Sequence, residues 1–146
     1  MRMPKTGCLV ILTMVILAGC KRETEDNPCV NVVPEIGLYN GSVGYDEAVV
    51  DSVPRSAIPL SIGCSAGLGY FDDPRLNDVE IRLIVSATDS VFFAVDAQPD
   101  AFAYSFAQTV VMDPITEPMP ALLRITVANN CGHSTNMLRQ LVVMPD

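Results

Sequence analysis

Val79-Glu80-Ile81-Arg82-Leu83-Ile84-Val85 alternates, with Val79, Ile81, Leu83 and Val85 on one side and Glu80 and Arg82 on the other. Successive side chains of a β-strand point to opposite faces, so the stretch reads as a strand with one face in a core and one in water. Turn signals bound it: Asp72-Asp73-Pro74 before, Ser86 to Ser90 after. Upstream, Ile58, Leu60, Ile62 and Cys64 share a face opposite Pro59, Ser61 and Gly63, which predicts a second strand. Downstream, Val91 to Ala97 and Ala101 to Met112 are predicted strands, the latter with Phe102, Tyr104 and Phe106 on one face. Asp113 to Pro120 carries three prolines and is predicted as a loop. Leu123, Ile125 and Val127 then alternate with Arg124 and Thr126, and after an Asn129-to-Gly132 turn Met137 to Met144 closes the chain. Val30 to Val33, ended by Pro34, is the expected first strand, and Glu47 to Val53 a further short one.

Eleven prolines and nine glycines divide the chain, and no window holds a capped apolar period of 3.6 residues. The expected fold is therefore all-β, an antiparallel β-sandwich of about seven short strands.

The N-terminus has a different character. Arg2 and Lys5 precede an eleven-residue apolar run, Cys8 to Ala18, and small residues follow. A basic start, a short apolar core and a small-residue cut site make a secretory signal peptide. A membrane-crossing helix needs ~20 apolar residues, about twice this run. Leu17-Ala18-Gly19-Cys20 resembles the lipobox of bacterial lipoproteins. That resemblance implies cleavage before Cys20 and a diacylglycerol on its thiol. An ordinary signal peptide with an incidental Cys20 is the alternative. The expected organisation is a signal peptide (1–19), a lipidated cysteine and polar tether (20–28), and one domain (29–146).

Each buried methylene contributes ~0.8 kcal/mol and two acyl chains hold a protein stably, so the lipid on Cys20 suffices as the membrane contact. The tether Lys21 to Pro28 holds no apolar residue. Extended, it reaches up to ~28 Å from the bilayer. Residue 21 is not Asp, so the enterobacterial rule for inner-membrane retention does not apply. Acidic residues follow Lys21 and Arg22, in loose likeness to Bacteroidetes-type surface lipoproteins. Both features imply the outer membrane of a bacterial envelope, with either face open.

Leu122 to Met144 (LLRITVANNCGHSTNMLRQLVVM) resembles the closing hairpin of bacterial immunoglobulin-like and PKD-type domains. The chain has no Trp, hence not the Trp-Asp-Phe-Gly-Asp-type motif of PKD domains proper. The resemblance therefore implies the wider immunoglobulin-like sandwich.

Cleavage removes Arg2 and Lys5, leaving seven cations against seventeen anions, a formal charge of −10. Scattered cations on an acidic chain argue against nucleic acid, which needs clustered Lys and Arg. Gly63-Cys64-Ser65-Ala66-Gly67 matches G-x-S-x-G, and His133 follows downstream. That nucleophile elbow requires a helix after the serine, and Gly67, Gly69 and Pro74 oppose one. His133 is the sole histidine, in a Gly-His-Ser turn, and the cysteines lack C-x-x-C pairing, so no zinc site is expected. Asp72, Asp73 and Asp78 gather without EF-hand order and read as a solvated turn. No cofactor is expected. Phe102, Tyr104 and Phe106 read as core aromatics rather than a sugar-stacking stripe.

Once Cys8 is cut away and Cys20 lipidated, Cys29, Cys64 and Cys131 remain, so one disulfide and one leftover thiol are expected in an oxidising compartment. In an immunoglobulin-like sandwich, Cys64 and Cys131 would end the second and next-to-last strands at one pole, and they are the expected pair. Cys29 begins at the same pole and can replace either partner. The functional expectation is a non-catalytic, lipid-anchored binding or accessory module for an envelope protein or glycan. The alternatives are a structural subunit of an envelope complex, or a small serine hydrolase using Ser65.

Overall fold

A computed structural model describes residues 29–40, 43–44, 51–68 and 73–146. The signal peptide, Cys20, the tether and residues 47–50 of the short strand predicted from Glu47 lie outside the described residues. Within them the chain is all-β. Its strands are β1 (Glu35–Asn40), β2 (Val43–Gly44), β3 (Asp51–Pro54), β4 (Ile58–Ser65), β5 (Leu76–Val85), β6 (Ser90–Ala97), β7 (Ala103–Val110), β8 (Met119–Asn129) and β9 (Ser134–Met144).

They form two sheets, ordered β2-β1-β4-β7 and β3-β9-β8-β5-β6. Every pair is antiparallel except β3 with β9, which is parallel. The core lies between the sheets, so the expected β-sandwich is the observed fold. Alternation explains which faces meet. Ile58, Leu60, Ile62 and Cys64 of β4 are buried, as are Val79, Ile81 and Leu83 of β5 and Leu123, Ile125 and Val127 of β8. Ile81 lies between Val95 and Ile125 across the larger sheet, and Leu83 between Phe93 and Leu123.

The register of β5 yields a direct test. Leu83 is fully buried, so Leu83→Ala should cost ~2–5 kcal/mol in a urea titration. Glu80, on the outer side, should cost under ~0.5 kcal/mol as Glu80→Ala. Equal losses would overturn the assigned faces.

Two local expectations are corrected. Val30 to Val33 is not a strand: residues 29–31 turn, residues 32–34 are irregular, and β1 begins only at Glu35. The Val32 and Pro34 carbonyls are taken by side chains of the larger sheet rather than by a ladder. Val85 keeps the inward phase, since it pairs with the buried Ala121 of β8, but it is only partly covered, and the β5–β6 register shift between Leu83 and Ile84 leaves its extra residue, Phe92, on β6. An extra residue reverses the faces of the strand that holds it, here β6 and not β5. Phe102 lies ahead of β7 and is 45% exposed, while Tyr104 and Phe106 do pack against the core.

Candidate functional site

The domain's first residues are fastened to the β8–β9 turn. The inward face of β8 runs Ala121, Leu123, Ile125, Val127, Asn129, so strand phase carries a polar amide into the core. Asn129 is 1% exposed and fully bonded. Its Nδ2 donates to the carbonyls of Val32 at 2.7 Å and Ala66 at 2.9 Å. Its Oδ1 accepts the backbone N–H groups of Cys131 and His133, both at 3.1 Å. An amide has two donor hydrogens and two acceptor lone pairs, so its capacity is filled. One side chain thereby joins the entry segment, the end of β4 and the β8–β9 turn.

Further bonds reinforce the junction. Cys29 and Cys131 form a disulfide with Cα atoms 5.3 Å apart. His133 Nε2 lies 2.9 Å from the Cys29 carbonyl, and Thr135 Oγ1 donates to the Pro34 carbonyl at 2.6 Å. Gly67, at φ +98°, passes so close beneath this segment that a Cβ would sit 2.2 Å from the Val33 carbonyl oxygen. Only glycine permits both that backbone conformation and that approach.

The expected Cys64–Cys131 bridge is therefore corrected to Cys29–Cys131. Cys131 leaves the plane of β8 in a turn closed by Gly132 N–H on the Asn129 carbonyl, and the entry segment crosses that turn. Cys64 stays on the inner face of β4, between Ile36 and Tyr104 on the adjoining strands, as a buried free thiol. Burial pushes its pKa up from 9.0 to about 11. At pH 8 its thiolate fraction is about a hundredfold below that of an unfolded cysteine, so alkylation should accelerate sharply on unfolding. The folded pKa exceeds the unfolded one, so Cys64 contributes stability below pH 9, and that contribution falls as pH rises toward about 11. A thiol alkylated equally fast with and without denaturant would contradict this placement.

The other residues singled out by sequence are not brought together. Ser65 is the last residue of β4, registered between Glu35 and Ala103, and no helix follows it among the described residues. It stands in a sheet ladder, where the elbow geometry is absent. His133 faces Cys29. Asp73 bonds Arg75 Nε at 2.8 Å, Asp78 is on β5, and Asp72 lies outside the described residues. Among the described residues no group of three His, Cys, Asp or Glu side chains is placed to hold a metal ion.

Sequence reasoning missed the buried Arg139 on the inner face of β9. Its Nε and Nη2 bond Asp51 Oδ2 at 3.2 and 2.9 Å, which ties the short parallel strand β3 to the larger sheet. Two surface features complete the picture. Gly37 and Gly63 are paired across β1 and β4, and their missing side chains leave an open depression of about 680 Å³ beside Glu35, Ser65 and Ser105. At the flank, strands β6 and β7 end their respective sheets, and the Phe93 and Phe106 rings meet between them at 6.1 Å. Phe92, Phe93, Val95, Tyr104 and Phe106 are only partly covered there, and Val91 is 49% exposed.

In comparison with known proteins, no family model and no curated protein sequence matches the chain.

Proposed function

We propose that this protein is a lipid-anchored, non-catalytic binding or accessory module of the bacterial outer membrane, held by a diacylglycerol on Cys20. The observation that carries the reading is Leu17-Ala18-Gly19-Cys20 behind an apolar run too short to cross a bilayer. The fold supports it mechanically. A pull from the membrane reaches the domain at Cys29, eight residues beyond the tether's start at Lys21. It then passes through the disulfide into the turn between β8 and β9, central strands of the larger sheet. The load bypasses β1, which would otherwise peel from β4. The titratable side chains favour a structural role: His133 holds Cys29, Arg75 binds Asp73 and Asp100, Arg82 binds Asp96, and Arg139 binds Asp51.

Cell fractionation tests the anchor. The wild-type chain should stay with membranes through a high-salt wash, which strips proteins held by charge alone. Cys20→Ala should remain an uncleaved precursor. Normal maturation of Cys20→Ala into a soluble protein would overturn the reading.

A further inference from the structure

We infer that β7 is a docking edge that accepts an extended strand from a partner protein with basic residues flanking that strand. The inference rests on the binding-module reading and names the partner's chemistry. A sheet edge offers unpaired backbone N–H and C=O groups, and proteins blunt edges with charge, proline, bulges or brevity. Three of the four edges here are blunted in these ways. Strand β2 has two residues, β3 has four and ends in Pro54, and β6 carries Asp96 and lies against the Leu83/Ile84 register shift.

Strand β7 (AYSFAQTV) has none of these protections. Its eight residues contain no charge and no proline, and they pair with β4 without a break from Ala103–Ser65 to Val110–Ile58. No strand among the described residues pairs with its other side. Both ends are pinned, since the Phe102 carbonyl accepts Ala66 N–H and Met112 N–H donates to the Arg55 carbonyl, each at 2.8 Å. The edge is thus straight and preorganised. Beneath it, Tyr104, Phe106, Phe93 and Val95 are partly exposed, and Gln108, inward by phase, is exposed where the flank opens. An added strand would pair its backbone with β7 and set every second side chain on these aromatics.

Charge selects the occupant. A second copy fully overlapped and antiparallel pairs residues whose numbers sum to 213, so Ala103 meets Val110 and, beyond the strand, Asp100, which shares the single cation of Arg75 with Asp73, is set toward Asp113. Two-fold symmetry repeats that repulsion. The chain's own tether, Lys21 to Pro28, has no apolar residue to place on the flank. What fits is a foreign segment of about eight uncharged residues, apolar at alternate positions, with Lys or Arg at its ends.

Hydrogen exchange on the full-length lipidated chain in detergent tests this. The probes are a peptide with a core of about eight alternating valines and threonines and lysines at both ends, and its glutamate-ended twin. The lysine-ended peptide should slow exchange across Ala103–Val110 by at least ~10-fold, and its twin should do little. Asp113 is exposed, so Asp113→Lys should leave the fold intact, weaken the first peptide and strengthen the second. No protection of β7, or equal protection by both peptides, would overturn the proposal. So would a sedimenting dimer whose β7 is protected without peptide, which would make a second copy the occupant. A failed anchor would appear in the Cys20→Ala fractionation and leave the peptide result unchanged, so the two failures are distinguishable.

Discussion

Cys29→Ala lowers the unfolding free energy by about 4–5 kcal/mol, and Cys131→Ala lowers it equally. The bridge spans 102 residues of sequence, so it removes a large share of the freedom of the unfolded chain. Domains of this size have only ~5–15 kcal/mol in total, so either change takes a large part of the stability. The double variant should lose no more than either single one, because both remove the same bond. Cys64→Ala should cost only about 1–2 kcal/mol, for a small buried group. Guanidinium titrations under non-reducing conditions measure all four. A large loss at Cys64 with none at Cys29 would restore the pairing that strand topology alone suggests. In reductant the wild type should fall toward the Cys29→Ala value.

Asn129→Ala is the second large effect, expected at about 3–5 kcal/mol. The change strands two buried carbonyls, of Val32 and Ala66, and two N–H groups, of Cys131 and His133. Each buried polar group left without a partner costs ~1–3 kcal/mol, and some of the four will recover water. Asn130 is the control. It bonds Arg75 N–H and the Asp73 carbonyl at the surface, and Asn130→Ala should cost about 1 kcal/mol. Exchange of the Cys131 and His133 amides should rise in the Asn129 variant before global unfolding. A loss below ~0.5 kcal/mol would mean that the junction does not hold the entry segment.

The strands legible in the sequence were those whose two faces differ in polarity. In β5 the charged Glu80 and Arg82 separate apolar neighbours, and in β8 Arg124 and Thr126 do the same. Strand β1 was obscured because Gly37 and the preceding Pro34 punctuate Ile36 and Leu38. Strand β9 was legible from Met137 onward, three residues short of its start at Ser134, but not in phase. Leu138 is 62% exposed while Arg139 is buried, because Asp51, 88 residues away, neutralises the guanidinium. No local periodicity shows such a partner.

The candidate site was less legible for the same reason. Val30-Asn31-Val32-Val33 has strand composition, yet its partners are side chains about a hundred residues away: Asn129 bonds Val32 across a separation of 97, and Thr135 bonds Pro34 across 101. A signal for Asn129 did exist, since the phase of Leu123, Ile125 and Val127 lands on it. Its Asn-Asn-Cys-Gly context instead reads as an exposed turn. The openness of β7 is a property of sheet order and has no signature in the strand itself.

The central claim is that Cys20 carries the protein into the membrane. Mass spectrometry of the mature N-terminal peptide tests it most directly. The expected product is a chain that begins at Cys20 with a diacylglycerol on the thiol. A mature chain that begins elsewhere, or begins at Cys20 with an unmodified thiol, would contradict it.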